Sequence, residues 1–102
     1  MADIRQARKA LTSRILDGDG WASRPDRRAA FHNIGLAEPL GTLVDKVAKA
    51  AYTITDEDVV SVKASGLSED EVFELIVCAA IGQASRQYDS ALVALDAVTG
   101  RK

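Results

Sequence analysis

Apolar residues along this chain recur every three or four positions, and no stretch sustains the alternation expected of a strand. The pattern predicts five helices. The first covers about Asp3 to Leu16, with Ile4, Ala7, Leu11 and Ile15 on one face and Arg5, Arg8, Lys9 and Arg14 opposite. Asp17-Gly18-Asp19-Gly20 stops it, because glycine readily adopts the left-handed backbone that ends a helix. Ser23 is placed to cap a short second helix with Pro25 in its first turn. Ala30, Phe31 and Ile34 are its expected buried side, and Gly35 its end. Pro39 opens a third helix, where Leu40, Leu43, Val44, Val47, Ala48 and Ala51 give the cleanest amphipathic repeat in the chain.

Two capping motifs follow in close succession. The Thr55 hydroxyl can accept from the Asp58 backbone N–H, which starts a fourth helix with Asp56, Glu57 and Asp58 at the positive end of its dipole. Ile54 and Val59 are spaced as a hydrophobic staple across that cap. Gly66 closes this helix, and Ser68 with Glu71 forms a capping box flanked by Leu67 and Val72. The fifth helix runs from about Glu69 to Val98. Val77, Ala80, Ile81, Ala84, Tyr88, Ala91, Leu95 and Val98 give it one continuous stripe. From Val72 to Ile81 it is apolar nearly all round, which predicts burial on several sides, in a core or a subunit interface. Ala79, Ala80, Gly82 and Ala84 leave room for another helix to approach closely. The expected fold is all-α, a single five-helix domain over 1–102. Residues 1–38 form the N-terminal helices, residues 39–98 the helical core, and the third and fifth helices the centre.

Composition refines this picture. The 102 residues suffice for one domain, and 47% apolar with only 5% aromatic residues requires a close-packed aliphatic core. A net charge of −2 argues against nucleic acid as a partner, since phosphate binding needs a concentrated basic face. The charge is nonetheless uneven: residues 1–50 carry +3 and residues 51–102 carry −5. The two halves can attract each other within a chain or between subunits. The single cysteine, Cys78, rules out an internal disulfide and a multi-cysteine zinc site. No apolar run approaches the ~18 residues of a membrane span, and the polar amino terminus does not read as a signal peptide. The expectation is a cytoplasmic protein without membrane, metal or cofactor.

The segment from Leu43 to about Leu95 resembles the alkylhydroperoxidase-D-like (AhpD-like) superfamily, also called the carboxymuconolactone decarboxylase family. The resemblance lies in the order and spacing of three parts: a helix ending at Lys63 to Gly66, the turn Leu67-Ser68, and a long apolar helix from Glu71-Val72-Phe73-Glu74-Leu75 onward. It implies a homo-oligomer built through such helices. Peroxidase members carry Cys-x-x-Cys followed after three residues by His, with an acid upstream. Counting back from Gly66, the cysteine positions fall on Ala51 and Ile54, the histidine on Asp58, and the acid near Pro39, beside Glu38. With neither cysteine present, this motif cannot deliver a thiolate to a peroxide.

The remaining candidates for chemistry are few. Cys78 lies between Val77 and Ala79 on a helix expected to be buried, where a thiol is an inert core group rather than a redox centre. His32, the one histidine, suits a helix C-terminus better than a metal site. Asp56-Glu57-Asp58 lacks the glycine and alternating ligands of a calcium loop and reads as capping. Glu74 stands among Phe73, Leu75 and Ile76 and is expected to be partly buried. Arg86 and Tyr88 lie three to four turns further along and can meet it only between subunits. Trp21 and Arg24-Pro25-Asp26-Arg27-Arg28 are the best surface-binding residues, although a tryptophan closing a loop over the core is the more ordinary arrangement. The expectation is a non-catalytic oligomeric structural or partner-binding subunit. The alternatives are an enzyme handling a small carboxylate or lactone near Glu74, Tyr52 and Arg86, and a redox protein using Cys78.

Overall fold

The computed structural model describes residues 2–100, with side chains from residue 5 onward. Ile4, expected on the apolar face of the first helix, has its side chain outside the described residues, as do residues 1, 101 and 102 of the expected domain. The described chain is all-helical, with five α-helices and no strand: α1 (Ala2–Asp17), α2 (Arg24–His32), α3 (Leu40–Lys49), α4 (Asp56–Ala64) and α5 (Glu69–Thr99). A single 3-10 turn, Ala51–Thr53, separates α3 from α4. No described helix is long and apolar enough to cross a membrane.

Local chemistry sets the ends of these helices. Ser23 caps α2 by accepting from Asp26 N–H at 3.2 Å. The Ser68–Glu71 capping box on α5 forms as read, and the Thr55 cap on α4 is completed into a second box by the Asp58 side chain. Each box satisfies two backbone donors that the first helical turn leaves without partners. Pro39 begins α3 without a side-chain cap of its own. Glu38 takes that role, its carboxylate accepting from Thr42 N–H at 2.9 Å. Asn33, not Gly35, ends α2, turning into the left-handed region at φ 56°. Asparagine tolerates that conformation, and here its amide also donates to Asp45 at 2.9 Å.

The helix α5 is the spine. At 31 residues it runs about 46 Å, which accounts for the elongated shape of 50 × 29 × 20 Å. Its buried face is Val72, Leu75, Cys78, Ala79 and Gly82. Against it lie Ala30 and Phe31 of α2, Leu40, Leu43 and Val44 of α3, Val62 of α4, and Leu16 and Ala22 from α1 and its following loop. The largest contact is between α5 and α2, with α3 second. That corrects the expectation of a centre made by the third and fifth helices.

The close approach of α2 has a specific cause. A Cβ on Gly82 would stand 2.7 Å from the Phe31 carbonyl carbon and 2.9 Å from its Cα, so only glycine admits α2 at this distance. One turn on, Arg86 donates from Nη1 to the Phe31 carbonyl at 2.6 Å. This bond supplies a donor and a positive charge to the carbonyl end of α2.

Three burial expectations fail. Ile34 is 69% exposed, because the chain turns at Asn33 before α2 completes the turn that would have faced it inward. Ala51 has left α3 for the exposed 3-10 turn. Phe73 and Ala80 are exposed, so a narrow strip of the first half of α5 is bare although α1, α2, α3 and α4 all pack against that helix. The stripe is continuous as read, but apart from Ile81, which packs against the core, it lies on the side of α5 opposite the core. At 100° per residue its positions cluster about half a turn from Leu75 and Gly82. Ala84, Tyr88, Ala91, Leu95 and Val98 are all exposed.

Candidate functional site

The most structured surface lies where the α1–α2 loop meets α5. Gly20 passes so close to Glu74 that a Cβ there would fall 2.7 Å from Oε1 and 2.8 Å from the carboxyl carbon. That approach lets the Glu74 carboxylate accept from Trp21 N–H at 3.1 Å and from Ala22 N–H at 2.8 Å. From the other side Arg27, only 4% exposed, grips the same loop. Its Nε donates to the Ala22 carbonyl at 3.1 Å, and Nη1 donates to Ile15 at 3.0 Å and Gly18 at 2.8 Å. Its Nε also stands 3.7 Å from Glu74 Oε1. A buried guanidinium needs this many acceptors, and closing the carbonyl end of α1 suits its charge.

These contacts hold Trp21 in the open. Its residue surface is 70% exposed and Phe73 beside it 68%. Together with Ile15, Val77, Arg27 and Glu74 they line a cleft of about 300 Å³, which Arg14, Asp19 and Asp70 also border. Trp21 therefore does not close its loop over the core, and Ala22 fills that place instead. The arginine-rich segment divides: Arg27 is internal, while exposed Arg28 pairs with Asp17. A larger groove of about 450 Å³ runs over Arg5, Arg8, Lys9 and Arg28. Arg8 is already engaged there, with Asp89 at 2.8 Å and the Tyr88 ring at 4.9 Å.

The other sequence candidates lie apart from one another. Tyr52 is 91% exposed on the 3-10 turn. Arg86 is spent on Phe31 and on Gln83 at 3.0 Å. The contacts of Glu74 are to Trp21, Ala22 and Arg27, and none joins it to Tyr52 or Arg86. His32 is exposed at the end of α2, edge-on to Phe31 at 5.1 Å. Cys78 is fully buried one turn from Glu74. Burial pushes its thiol up to about 11, the nearby Glu74 charge adding to the effect and Arg27 partly offsetting it.

Asp58, Ile54 and Glu38, which the sequence resemblance sets against the peroxidase motif, hold structural roles. Asp58 closes the α4 capping box and pairs with Lys46 at 2.8 Å. The Lys46 bond, together with the Thr55 backbone, holds its carboxyl below the usual value. Ile54 packs against the core edge, and Glu38 caps α3. Arg27 is what the sequence reading missed. Its signal was the spacing Ala22, Arg27, Ala30, Phe31, which puts the arginine on the buried face of α2. Comparisons with protein-family models, curated proteins and solved structures found no match.

Proposed function

We propose that this chain is a non-catalytic, alkylhydroperoxidase-D-like subunit that assembles with further copies of itself through the outer face of α5. The observation that carries this reading is the stripe opposite the core. Phe73, Val77, Ala80, Ala84, Tyr88, Ala91, Leu95 and Val98 follow one another at intervals of three or four residues, with no charged residue on the line. That spacing keeps one seam facing a neighbouring helix over the whole length of α5.

Self-pairing suits this seam for two reasons. Burying a Val or Leu removes on the order of 100 Å² from water and a large aromatic about 200 Å². The exposed parts of Phe73, Tyr88, Leu95 and Val98 thus amount to on the order of 350 Å², before the alanines are counted. This is a substantial part of the ~800 Å² that each partner contributes to a stable interface. The seam is also self-complementary about a two-fold axis. Its inner stretch is Ala80, Ala84 and Ala91 with Tyr88 among them, and its ends are apolar and large, Phe73 and Val77 at one and Leu95 and Val98 at the other. An antiparallel copy brings each large end against the other, with Ala84 and Tyr88 nearest the crossing.

The lack of a cysteine pair and the inertness of Cys78 support the non-catalytic half of the reading. Sedimentation velocity on the whole chain tests assembly. Wild type is expected to sediment as a dimer or larger, and Leu95→Glu, a change at an exposed position, as a folded monomer. A wild-type monomer at micromolar concentration overturns the assembly. Thiol-dependent peroxide turnover that survives Cys78→Ser overturns the absence of catalysis.

A further inference from the structure

We infer that the Trp21 cleft is a binding site for a small, uncharged aromatic molecule carrying one hydrogen-bond acceptor such as a ketone oxygen. Three observations converge on that chemistry. The first is the pair of rings. Trp21 and Phe73 stand exposed beside one cleft, and the indole is held there by a loop whose backbone is bonded to Glu74 and Arg27 rather than left free. Ordering costs are therefore met before any ligand arrives. Flat aromatic faces of this kind favour a flat aromatic guest.

The second is the unused donor on the arginine. Nε and Nη1 of Arg27 are committed to the Ala22, Ile15 and Gly18 carbonyls, while Nη2 has no protein acceptor. Among the described residues no buried side-chain nitrogen lacks a partner, so Nη2 reaches solvent, and Arg27 lines this cleft. A residue only 4% exposed thus keeps one nitrogen without a protein acceptor, on a side chain that lines the cleft. The third is charge. Arg27 is balanced by Glu74, and Arg14 is outnumbered by Asp19 and Asp70. An acceptor oxygen is favoured there, and a full negative charge is not. At about 300 Å³ the cleft lies at the small end of ligand sites, the size of one or two fused rings.

Phe73 and Val77 belong to the α5 seam as well as to the cleft, whereas Trp21 and Arg27 lie off that seam, so a change at Trp21 tests the site apart from self-association. Indanone, indane and indane carboxylate share one skeleton and serve as probes. The chain has a single tryptophan, so its indole N–H is one resolved peak in a proton–nitrogen correlation spectrum. Indanone is expected to shift that peak saturably, together with the Ala22 and Glu74 amides. Indane, which cannot accept from Nη2, is expected to bind about tenfold more weakly, and the carboxylate more weakly than the ketone. Trp21→Leu, at an exposed position that folding does not need, is expected to abolish the amide shifts. No saturable binding, equal binding of indanone and indane, tighter binding of the carboxylate, or amide shifts that survive Trp21→Leu would each overturn the assignment.

Discussion

Replacing Gly82 by alanine sets two known effects against each other. In the middle of a helix alanine is favoured over glycine by about 1 kcal/mol, so a helix viewed in isolation gains from the change. In the folded chain the new Cβ has nowhere to go. It would stand 2.7 Å from the Phe31 carbonyl carbon, and the obstacle is backbone rather than a side chain that can swing aside. Relief requires α2 to move outward along its largest contact. Overpacking of this kind costs about 1–3 kcal/mol. The same movement stretches the 2.6 Å bond from Arg86 to Phe31, a charged donor whose loss is worth about 1.5–3 kcal/mol. The balance is a net loss of about 2–4 kcal/mol. In a domain of this size that corresponds to a fall in Tm of about 10–25 °C. Urea and thermal unfolding followed by circular dichroism measure it. Arg86→Ala tests the linkage, because it should cost less in the Gly82→Ala background than in wild type. An unchanged or raised Tm for Gly82→Ala would refute the reasoning and with it the close approach of α2 to α5.

Two further outcomes follow from titrating groups. Cys78, with its thiol pushed from 9.0 to about 11, holds about a hundredfold less thiolate at neutral pH than an unperturbed cysteine. It should resist iodoacetamide in the native protein and react as fast as a free thiol in denaturant; fast native labelling would contradict its burial. The stability it contributes is complete below pH 9 and is lost as pH rises from 9.0 towards about 11, since the unfolded chain releases the proton first. Asp58 has the opposite sign. Its carboxyl is lowered from 3.8 by Lys46 and Thr55, so its stabilisation is full above that value and is lost as pH falls below it. Asp58→Asn should lower the Tm at neutral pH and flatten its decline on acidification; an unchanged acid profile would mean that the pair with Lys46 does not form.

The features legible in the sequence were those with local causes. Ser23, Thr55 and Ser68 each cap the helix their sequence position implies, because an N-cap bond needs only residues three positions apart. Of the four small residues that leave room for a close neighbour, Gly82 receives α2 and Ala79 is buried, whereas Ala80 and Ala84 are exposed. Long-range partners were not legible. Nothing near Arg27 in sequence announces that three carbonyls from the α1 end and the loop will converge on it. A run of arginines looks like surface unless its register against Ala30 and Phe31 is followed. Ile34 failed for a local reason, the left-handed turn at Asn33, which was open to reading but was assigned instead to the glycine two residues on.

The harder case is α5, because it is apolar on two faces. One face carries Val72, Leu75, Cys78, Ala79 and Gly82; the other carries Val77, Ala80, Ala84, Tyr88, Ala91, Leu95 and Val98. Helical periodicity identifies both and ranks neither as the core. The four preceding helices supply the discrimination, since they are too few and too short to wrap a 31-residue helix. They leave a strip of its first half open at Phe73 and Ala80, and beyond it Ala84, Ala91, Leu95 and Val98 are exposed, with Tyr88 met by Arg8 of α1. Leaving so many large apolar groups in water along a charge-free line works against a soluble monomer, and a second α5 laid antiparallel covers them without new sequence. The same burial would set Leu95 and Val98 of one copy near Phe73 of the other, at the edge of the Trp21 cleft. Self-association and the cleft then meet at two residues, Phe73 and Val77. A Phe73→Ala variant should weaken both assembly and indanone binding, whereas Leu95→Glu and Trp21→Leu should each act mainly on one.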